Sequence, residues 1–394
     1  MRILYLVPLL PSRSGSGGRR AAYNHLMQQR GPNTELRLLV VDVEGKGESL
    51  SEEIRRLDPT VFPRAIPRLG SGVRAALRAL GAVLTSSLPR SVRVVSSSAA
   101  RRFVASELLQ RHYDAVVLDH LNAYGIVRGI EIRCPLIYIA HNIEADLLRE
   151  AIATRRPWTP LWFAAHLEYR RMFSLEQELL RKADRTVFIA AADLSSIPDP
   201  SVARKSRIWA ELPLPKSERW RYTGSRKIVF VGSSAYVPNR EAILWLRDEL
   251  MPKLALLDST ITLRVIGTAE GDLGPRAPSV NVSMEGFVSD ERLIELQLTA
   301  DLFISPVVLG SGIKIKVLEA ASYGLPILAT DASLAGIDFL TGTARVLTRN
   351  AERDAETVKR LLDIPQTLEQ ISNATLDALQ VAYKQRPPLE EQFR

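Results

Sequence analysis

Short apolar strands that alternate with helices constrain the fold of this chain most strongly. In the first half, apolar runs lie at Ile3–Val7, Leu36–Val41, Ala115–Leu118, Leu136–Ala140 and Thr186–Ile189. Each run is short, is rich in β-branched residues and is separated from the next by a helical stretch. Continuous apolar strands that alternate with helices are typical of a parallel sheet covered on both faces.

The same alternation restarts in the second half, after a stretch that predicts a linker. Glu211–Ser225 contains two prolines and a glycine and has few periodic apolar positions. Further strands are predicted at Lys227–Val231, Thr262–Ile266, Val280–Met284, Asp301–Ser305 and Leu325–Ala329. A chain of 394 residues is too long for one compact core. We therefore predict an α/β protein with two doubly wound Rossmann-like domains and a ligand in the cleft between them.

Several helices are predicted from the spacing of apolar residues. Arg68–Ser86 and Arg101–Arg111 have amphipathic patterns, and Trp158–Lys182 predicts one long helix or two. In the second half, a helix is expected at Asn239–Leu250, with Asn239 as its N-cap and Pro252 after its end. The tail from Ile364 onward is expected to be helical.

Composition excludes several classes of protein. The chain is 46% apolar and 24% charged, as in globular proteins, and has no apolar run of the ~20 residues that span a bilayer. Met1–Pro8 lacks the features of a signal peptide and is predicted to be a buried strand. Cys134 is the only cysteine, which excludes a disulfide within the chain. These features favour the cytoplasm.

The net charge of +8 indicates which kinds of partner the protein can attract. Arginines concentrate in Arg64–Arg102 and Arg149–Arg185, without a recognised nucleic-acid module, so no nucleic-acid partner is expected. A basic face suits the binding of a diphosphate-bearing substrate. It also suits peripheral binding of the protein to the inner face of an anionic membrane. A dispersed, solvated excess of charge is the alternative.

The segment Gly310–Thr330 carries the strongest chemical signal. A glycine-flanked turn opens a helix with Lys314 and Lys316 at its beginning. Free N–H groups at a helix N-terminus bind anions, and glycines allow close approach of the backbone. Glu319 lies five residues after Lys314, roughly 7.5 Å along a helix. This spacing suits a ligand with a phosphate end and a sugar end, such as a nucleotide-sugar. The alternative is an ordinary loop followed by a Lys316–Glu319 surface pair.

The string Gly-Ser-Gly-Ile-Lys-Ile-Lys-Val-Leu-Glu-Ala, followed by Gly-Leu-Pro-Ile-Leu-Ala-Thr, resembles the donor-site signature of GT-B glycosyltransferases. The likeness is to retaining, family 4-type enzymes (glycosyl transferases group 1). It implies an acceptor-side domain at residues 1–215 and a donor domain at 216–375. Residues 376–394 would form a final helix that crosses back to the first domain.

The resemblance also implies roles for residues in the donor domain. Glu319 would bind the donor ribose, and the turn residues and lysines would hold the pyrophosphate. Gly232 and Ser233 match a segment near the diphosphate, with Arg240 as the nearest arginine. Phe287 and Val288 match a turn that reads the nucleobase through its backbone, and Asp290 is expected to cap the next helix. The residues assigned to the pyrophosphate are Gly310, Ser311, Gly312, Ile313, Lys314 and Lys316.

In the first half, candidate residues follow predicted strands. Gly17 and Gly18 match paired glycines beside the transferred sugar. His141, in the string His-Asn-Ile-Glu, resembles a family histidine that hydrogen-bonds that sugar and stabilises charge near the reaction centre. This makes His141 the candidate catalytic residue. Arg19, His120 and Asn122 are expected to contact the acceptor.

One departure from the family pattern concerns the transferred sugar. Family 4 enzymes often carry two glutamates separated by seven residues, and the first of these positions is occupied here by Ser311. The contact that this carboxylate makes with the sugar hydroxyls is therefore missing, which leaves the donor sugar open.

The leading hypothesis is a hexosyltransferase of the EC 2.4 class that builds a glycan, polysaccharide or glycoconjugate. It would move a hexose, with retention, from a nucleoside-diphosphate sugar to a hydroxyl on a glycan, lipid-linked or protein acceptor. No cofactor and no essential metal are expected, since lysine and helix N–H groups can neutralise the diphosphate. A nucleotide-sugar epimerase of the same fold and a non-catalytic sugar-binding protein are the alternatives.

Overall fold

The computed structural model describes residues 1–12, 17–28, 34–42, 50–63, 86–153, 157–209, 211–214, 216–274, 281–310, 312–386 and 391. The chain divides into two compact units, Met1–Ala210 and Glu211–Arg386. The boundary between them lies at the beginning of the predicted linker. The predicted helix Arg68–Ser86 lies outside the described residues, except for Ser86.

The described part of the first unit contains a parallel seven-stranded sheet in the order β3-β2-β1-β4-β5-β6-β7. Its strands are β1 (Arg2–Val7), β2 (Glu35–Asp42), β3 (Thr60–Pro63), β4 (Ala115–Asp119), β5 (Leu136–Ala140), β6 (Arg185–Phe188) and β7 (Ser206–Ile208). Its α-helices are Gly17–Gln28, Glu52–Arg55, Arg90–Val95, Ser98–Gln110, Tyr124–Val127, Glu144–Ala153, Pro160–Lys182, Ala191–Ser195 and Pro200–Arg204, with a 3-10 turn at Leu121–Ala123.

The described part of the second unit contains a parallel six-stranded sheet in the order β10-β9-β8-β11-β12-β13. Its strands are β8 (Lys227–Val231), β9 (Thr262–Ile266), β10 (Val282–Gly286), β11 (Leu302–Ser305), β12 (Ile327–Ala329) and β13 (Arg345–Val346). Its α-helices are Val237–Trp245, Met251–Leu257, Asp290–Leu298, Ile315–Ser322, Asp331–Leu334, Ala351–Asp363 and Pro365–Gln385, with a π-helical turn at Leu246–Leu250 and 3-10 turns at Glu270–Leu273 and Asp338–Leu340.

The central strands are buried on both faces, as their continuous apolar sequences predict. Ile3–Val7 and Ile137–Ala140 are almost fully inaccessible in the first unit, and Leu302–Ile304 are equally buried in the second. In each sheet the strand order reverses at one place, between β1 and β4 and between β8 and β11. Ligands bind outside the carboxyl ends of strands at such a switch point. The topology therefore marks one candidate site in each unit.

Some predicted element bounds were wrong. The helix expected to end before Pro252 continues through Met251–Leu257, because a π-helical turn at Leu246–Leu250 precedes the proline. A π turn shifts the hydrogen-bond register, which accommodates a residue without an N–H group. Trp158–Lys182 is a single helix that begins at Pro160, where the Thr159 side chain caps the Trp162 N–H.

The tail is helical as predicted, over Pro365–Gln385, which belongs to the second unit. Beyond Gln385 the structure describes Arg386 and Glu391. The predicted return of residues 376–394 to the first domain thus lies mostly outside the described residues and stays a prediction. Among the described helices, none has the length and apolar character needed to cross a membrane.

Candidate functional site

The loops that follow β8 and β11 meet at the switch point of the second unit. Gly310, after β11, has a φ of 87° and lies against the loop after β8. A Cβ atom at this position would lie 2.6 Å from the Tyr236 hydroxyl oxygen and 3.2 Å from Cγ of Pro238. Gly310 is therefore required by its backbone conformation, and a larger residue would also have to displace the Tyr236 side chain.

Gly232 packs equally closely inside the loop after β8. A Cβ atom there would lie 2.8 Å from Cγ of Asn239, whose Nδ2 donates to the Ser233 carbonyl over 3.2 Å. The prediction that Asn239 is an N-cap is wrong, because the helix begins two residues earlier at Val237, after Tyr236. Asn239 instead holds the turn that presents Gly232 and Ser233.

Thr268, which follows β9, ties this loop to the next strand. Its buried hydroxyl donates to the Gly232 carbonyl and accepts from the Ser234 N–H, both over 2.9 Å. A Cβ atom on Gly267, whose φ is 93°, would lie 3.1 Å from the Gly232 carbonyl oxygen. Thr268 was not among the predicted site residues, although a Gly-Thr pair directly after an apolar strand was the available signal.

The loop after β10 is hydrogen-bonded to the loop after β9. The Gly286 N–H donates to the Thr268 carbonyl over 3.0 Å. The next side chain, Phe287, is 83% exposed, whereas Val288 packs against the core of the unit. The next helix is capped by Ser289, which accepts from the Arg292 N–H, so the predicted cap at Asp290 was one residue late.

Lys314 precedes the helix Ile315–Ser322 and closes the turn before it. Its Nζ donates to the carbonyls of Gly310 and Gly312, over 2.7 Å and 2.9 Å. Gly312 has a φ of 79°, and Ile313 packs against the core. Ser311 lies outside the described residues. The lysine thus organises a turn whose amides lead into a helix N-terminus.

Lys316 and Glu319 lie on the following helix, 3.2 Å apart, as an i, i+3 ion pair. The Glu319 side chain is 11% exposed and the Lys316 side chain 28%. This contact matches the surface-pair alternative, but the carboxylate is more buried than an ordinary surface pair. Arg240, the nearest arginine, donates to the carbonyls of Asp272 and Leu273 over 2.9 Å and 3.2 Å.

At the switch point of the first unit, the loop after β1 meets the loop after β4. Gly17 and Gly18 begin the helix Gly17–Gln28. A Cβ atom on Gly18 would lie 3.5 Å from Cδ2 of Leu9 and 3.7 Å from Nε2 of His120. Arg19 is buried, and its Nε donates to the Leu10 carbonyl over 2.9 Å. Gly18 and His120, predicted separately, therefore lie side by side.

His141, directly after β5, belongs to a buried hydrogen-bonded cluster. Its Nε2 is bonded to Oδ1 of Asp119, at the end of β4. The other carboxylate oxygen of Asp119 accepts from the Tyr5 hydroxyl over 2.5 Å and lies 3.4 Å from Nδ1 of His25. Burial alone would raise the pKa of Asp119, but the two histidines hold this pKa well below its usual value. His25 and Tyr5 were not predicted, because a lone histidine and a strand tyrosine carry no distinguishing pattern.

His120 lies over His141, with ring centroids 3.5 Å apart. Its backbone, at φ 81° and ψ 145°, is in a region that non-glycine residues rarely adopt, a strain of about 1–3 kcal/mol. Burial, together with the neighbouring His141, lowers the pKa of His120 well below its usual value. Its buried Nε2 has no hydrogen-bond partner among the described residues. A neutral imidazole thus presents a free nitrogen beside Gly18.

The same cluster contains possible metal ligands and is therefore relevant to the prediction that no metal is needed. His25, Asp119 and His141 each offer one ligand atom, all within 4.8 Å of one another. Both carboxylate oxygens of Asp119 already accept hydrogen bonds within the cluster. The described contacts are those of a hydrogen-bonded network, and the absence of an essential metal stays a prediction.

Comparison with known proteins bears first on the second unit. Residues 225–363 match the family model described as Glycosyl transferases group 1. This range includes the loops at the switch point and the helix with Glu319. No curated protein matches the chain.

Solved structures resemble the whole chain at low sequence identity. Staphylococcus aureus TarM has a TM-score of 0.64 at 9% identity, covering 100% of this chain and 98% of TarM. Anabaena HepE, solved with UDP-glucose, has a TM-score of 0.61 at 14% identity, with coverage of 100% and 98%. Sucrose-phosphate synthase from Thermosynechococcus elongatus has a TM-score of 0.62 at 12% identity, with coverage of 100% and 96%. The chain therefore has the two-domain, Rossmann-like GT-B fold, and its residues 225–363 match the glycosyl transferases group 1.

Proposed function

We propose that this protein is a retaining glycosyltransferase of the family 4 type that transfers a hexose from a nucleoside-diphosphate sugar to a hydroxyl acceptor. The observation that supports this best is the meeting of the loops after β8 and β11 at a switch point. Gly310, which packs closely against Tyr236 of the other loop, lies five residues before the N-terminus of the helix Ile315–Ser322. Such a glycine-lined corner suits a pyrophosphate.

The donor would lie along the loops that follow β8, β9, β10 and β11 in the second unit. The N–H groups of Ser233 and Gly312 would approach the diphosphate, and the carboxylate of Glu319 would accept hydrogen bonds from the ribose. The N–H of Gly232 donates to the Ile266 carbonyl over 2.8 Å, so Gly232 would contribute close approach of the backbone instead. Phe287, which is 83% exposed, and Val288 would border the nucleobase. Lys314 and Lys316 would add positive charge near the phosphates, and we therefore expect no essential metal ion.

In the first unit, His141 would hydrogen-bond the transferred sugar and stabilise charge as the glycosidic bond breaks. In the front-face mechanism, the leaving phosphate accepts the proton of the incoming hydroxyl. No carboxylate nucleophile is then required, in keeping with the position of Asp119, whose oxygens are bonded to His141 and Tyr5.

The test is a binding and turnover screen with nucleotides. A thermal-shift screen with UDP, GDP, dTDP and ADP would identify the base, and assays of donor hydrolysis and transfer would follow with the matching sugars. In Glu319→Ala, the dissociation constant of the nucleotide should rise about 10- to 150-fold, because a charge-assisted hydrogen bond contributes about 1.5–3 kcal/mol.

The matched control is Glu356→Ala, which removes an exposed carboxylate from another helix of the same unit. It should leave nucleotide affinity unchanged. An unchanged affinity in Glu319→Ala would contradict the ribose role. Absence of binding, hydrolysis and transfer across the panel would overturn the proposal. A change of the donor sugar without an acceptor would instead identify an epimerase.

A further inference from the structure

A cavity of about 560 Å³ opens in the first unit beside the carboxyl end of β1. Its volume is in the range of sites that bind small organic ligands. Most of the lining is aliphatic. The apolar side chains come from the loop after β1 and from three helices, and they are Pro8, Leu9, Val94, Val95, Leu148 and Met172.

The polar side chains of the lining are Arg19, Arg90, Ser91, Asn122 and Glu168, and those of Arg19 and Glu168 are engaged with the protein. The Glu168 carboxylate accepts from the Arg90 N–H over 2.8 Å and pairs with Arg171 at 3.2 Å. Arg19 donates to the Leu10 carbonyl. Oδ1 of Asn122, in contrast, is buried and has no partner among the described residues. The cavity therefore offers few polar contacts to a ligand.

The cavity adjoins, through Leu9, the corner that contains the buried Nε2 atom of His120. Leu9 lines it, and the position of a Cβ atom on Gly18 lies 3.5 Å from Leu9 and 3.7 Å from Nε2 of His120. An aliphatic wall and an unpartnered imidazole nitrogen thus meet at one glycine. His120 in turn stacks on His141.

We propose that this cavity binds the aliphatic part of the acceptor, while the acceptor hydroxyl hydrogen-bonds to Nε2 of His120. The inference rests on the proposed function and adds the acceptor class, an alcohol with an apolar chain. A free sugar is a poor occupant, because its hydroxyls would lie against Val95, Leu148 and Met172 without partners. An aliphatic chain loses no hydrogen bonds there.

The test measures binding of n-hexanol and n-propanol to the full chain by ligand-observed NMR, without a sugar donor. Each buried methylene should tighten binding about fourfold, so three should give well over a tenfold difference between the alcohols. Equal affinities, or no binding of either alcohol, would overturn the proposal.

Two variants separate the parts of the site. Leu148→Asp should abolish the preference for the longer alcohol, whereas Leu109→Asp, at a position that is 83% exposed on the same unit, should keep it. If Leu148→Asp does not fold, Leu9→Ser serves the same purpose. His120→Gly places a glycine where the backbone φ is positive. It should weaken the binding of both alcohols equally and keep the ratio of their dissociation constants. A preserved preference in Leu148→Asp, or a changed ratio in His120→Gly, would contradict the assignment.

Binding of UDP, GDP, dTDP and ADP, measured on the same samples, distinguishes this inference from the proposed function. Chain-length-dependent binding of alcohols with no nucleotide binding would leave an apolar site and contradict the transferase. Nucleotide binding without a chain-length preference would contradict the acceptor class alone.

Discussion

The Asp119 carboxylate is hydrogen-bonded to the Nε2 atom of His141; Asp119 ends strand β4, and His141 directly follows the neighbouring strand β5. Tyr5 and His25 contact the other oxygen of the same carboxylate. The buried charge therefore orients the histidine that we assign to catalysis. It also makes the stability of the first unit depend on the ionisation of one carboxyl group.

Asp119→Asn should destabilise the protein by about 3 kcal/mol at pH 7, because it breaks a buried charge network. The pKa of Asp119 in the fold lies well below the usual 3.8. Its stabilising contribution is thus complete above about pH 4 and is lost as the pH falls through the lowered pKa. The difference in unfolding free energy between wild type and variant should shrink below about pH 4. Urea unfolding at neutral pH and at about pH 3 measures this difference.

Asp58→Asn is the control, since this side chain is 99% exposed. It should leave the unfolding free energy nearly unchanged at both pH values. If the difference in unfolding free energy between wild type and Asp119→Asn is the same at neutral pH and at about pH 3, the carboxylate charge is not what stabilises the cluster.

His141→Ala should lower the turnover number of sugar transfer by about 10²- to 10³-fold, the usual effect of removing one donor to developing charge. Nucleotide affinity, measured by calorimetry, should not change, because the proposed nucleotide contacts belong to the second unit. His112→Ala, whose side chain is 89% exposed in the first unit, should keep full turnover. Equal turnover in both variants would remove His141 from the mechanism.

Gly310→Ala should weaken nucleotide binding and lower the melting temperature. The new methyl group would lie 2.6 Å from the Tyr236 hydroxyl, in addition to the strain of a positive φ. Gly342→Ala is a matched control, because its φ of 84° is similar and no atom lies within 4 Å of the added Cβ. It should lower the melting temperature through strain alone and keep nucleotide affinity. The same loss of affinity in both variants would argue against a local effect at Gly310.

Glu176 should make stability fall as the pH rises. Its buried carboxyl accepts from the N–H groups of Glu144 and Ala145, and burial raises its pKa to about 8. The fold then binds a proton that the unfolded chain has released above pH 4.5, so stability decreases between pH 4.5 and about 8. The limiting slope is about 1.4 kcal/mol per pH unit.

Glu176→Gln removes this titration and should reduce the slope of unfolding free energy against pH. Part of the slope should remain below about pH 7, because burial also raises the pKa of Glu144 to about 7. Glu168→Gln, on the same helix but with a side chain that is 19% exposed, serves as the control and should keep the wild-type slope. A slope in Glu176→Gln equal to that of wild type would assign the pH dependence to other groups.

Much of the fold could be predicted from the sequence because long apolar strands are a local signal. The central strands β1, β4, β5, β8 and β9 lie within a residue or so of their predicted bounds. The short strands β3, β7 and β13 were missed, since each is two to four residues long and partly exposed. Their pairing depends on neighbouring strands, and no local pattern marks it.

The candidate site was predicted in pieces. Position after a strand or at a turn, together with the family resemblance, predicted Gly18, His120, His141, Gly232 and Gly310 as site residues, and these assignments stay predictions. Their partners Thr268, Tyr5 and His25 were not found, because each is significant only through a contact with a distant part of the chain. Tyr5 and Asp119, for example, are 114 residues apart.

By itself, the sequence determined the alternation of strands and helices, the two domains and the glycine-rich turn before Glu319, because these depend on local backbone preference and on apolar periodicity. The packing of Gly310 against Tyr236, the carboxylate shared by His25 and His141, and the aliphatic cavity beside His120 depend on strand order. Strand order sets which loops meet at a sheet edge, and it follows from packing over long separations that no local pattern encodes.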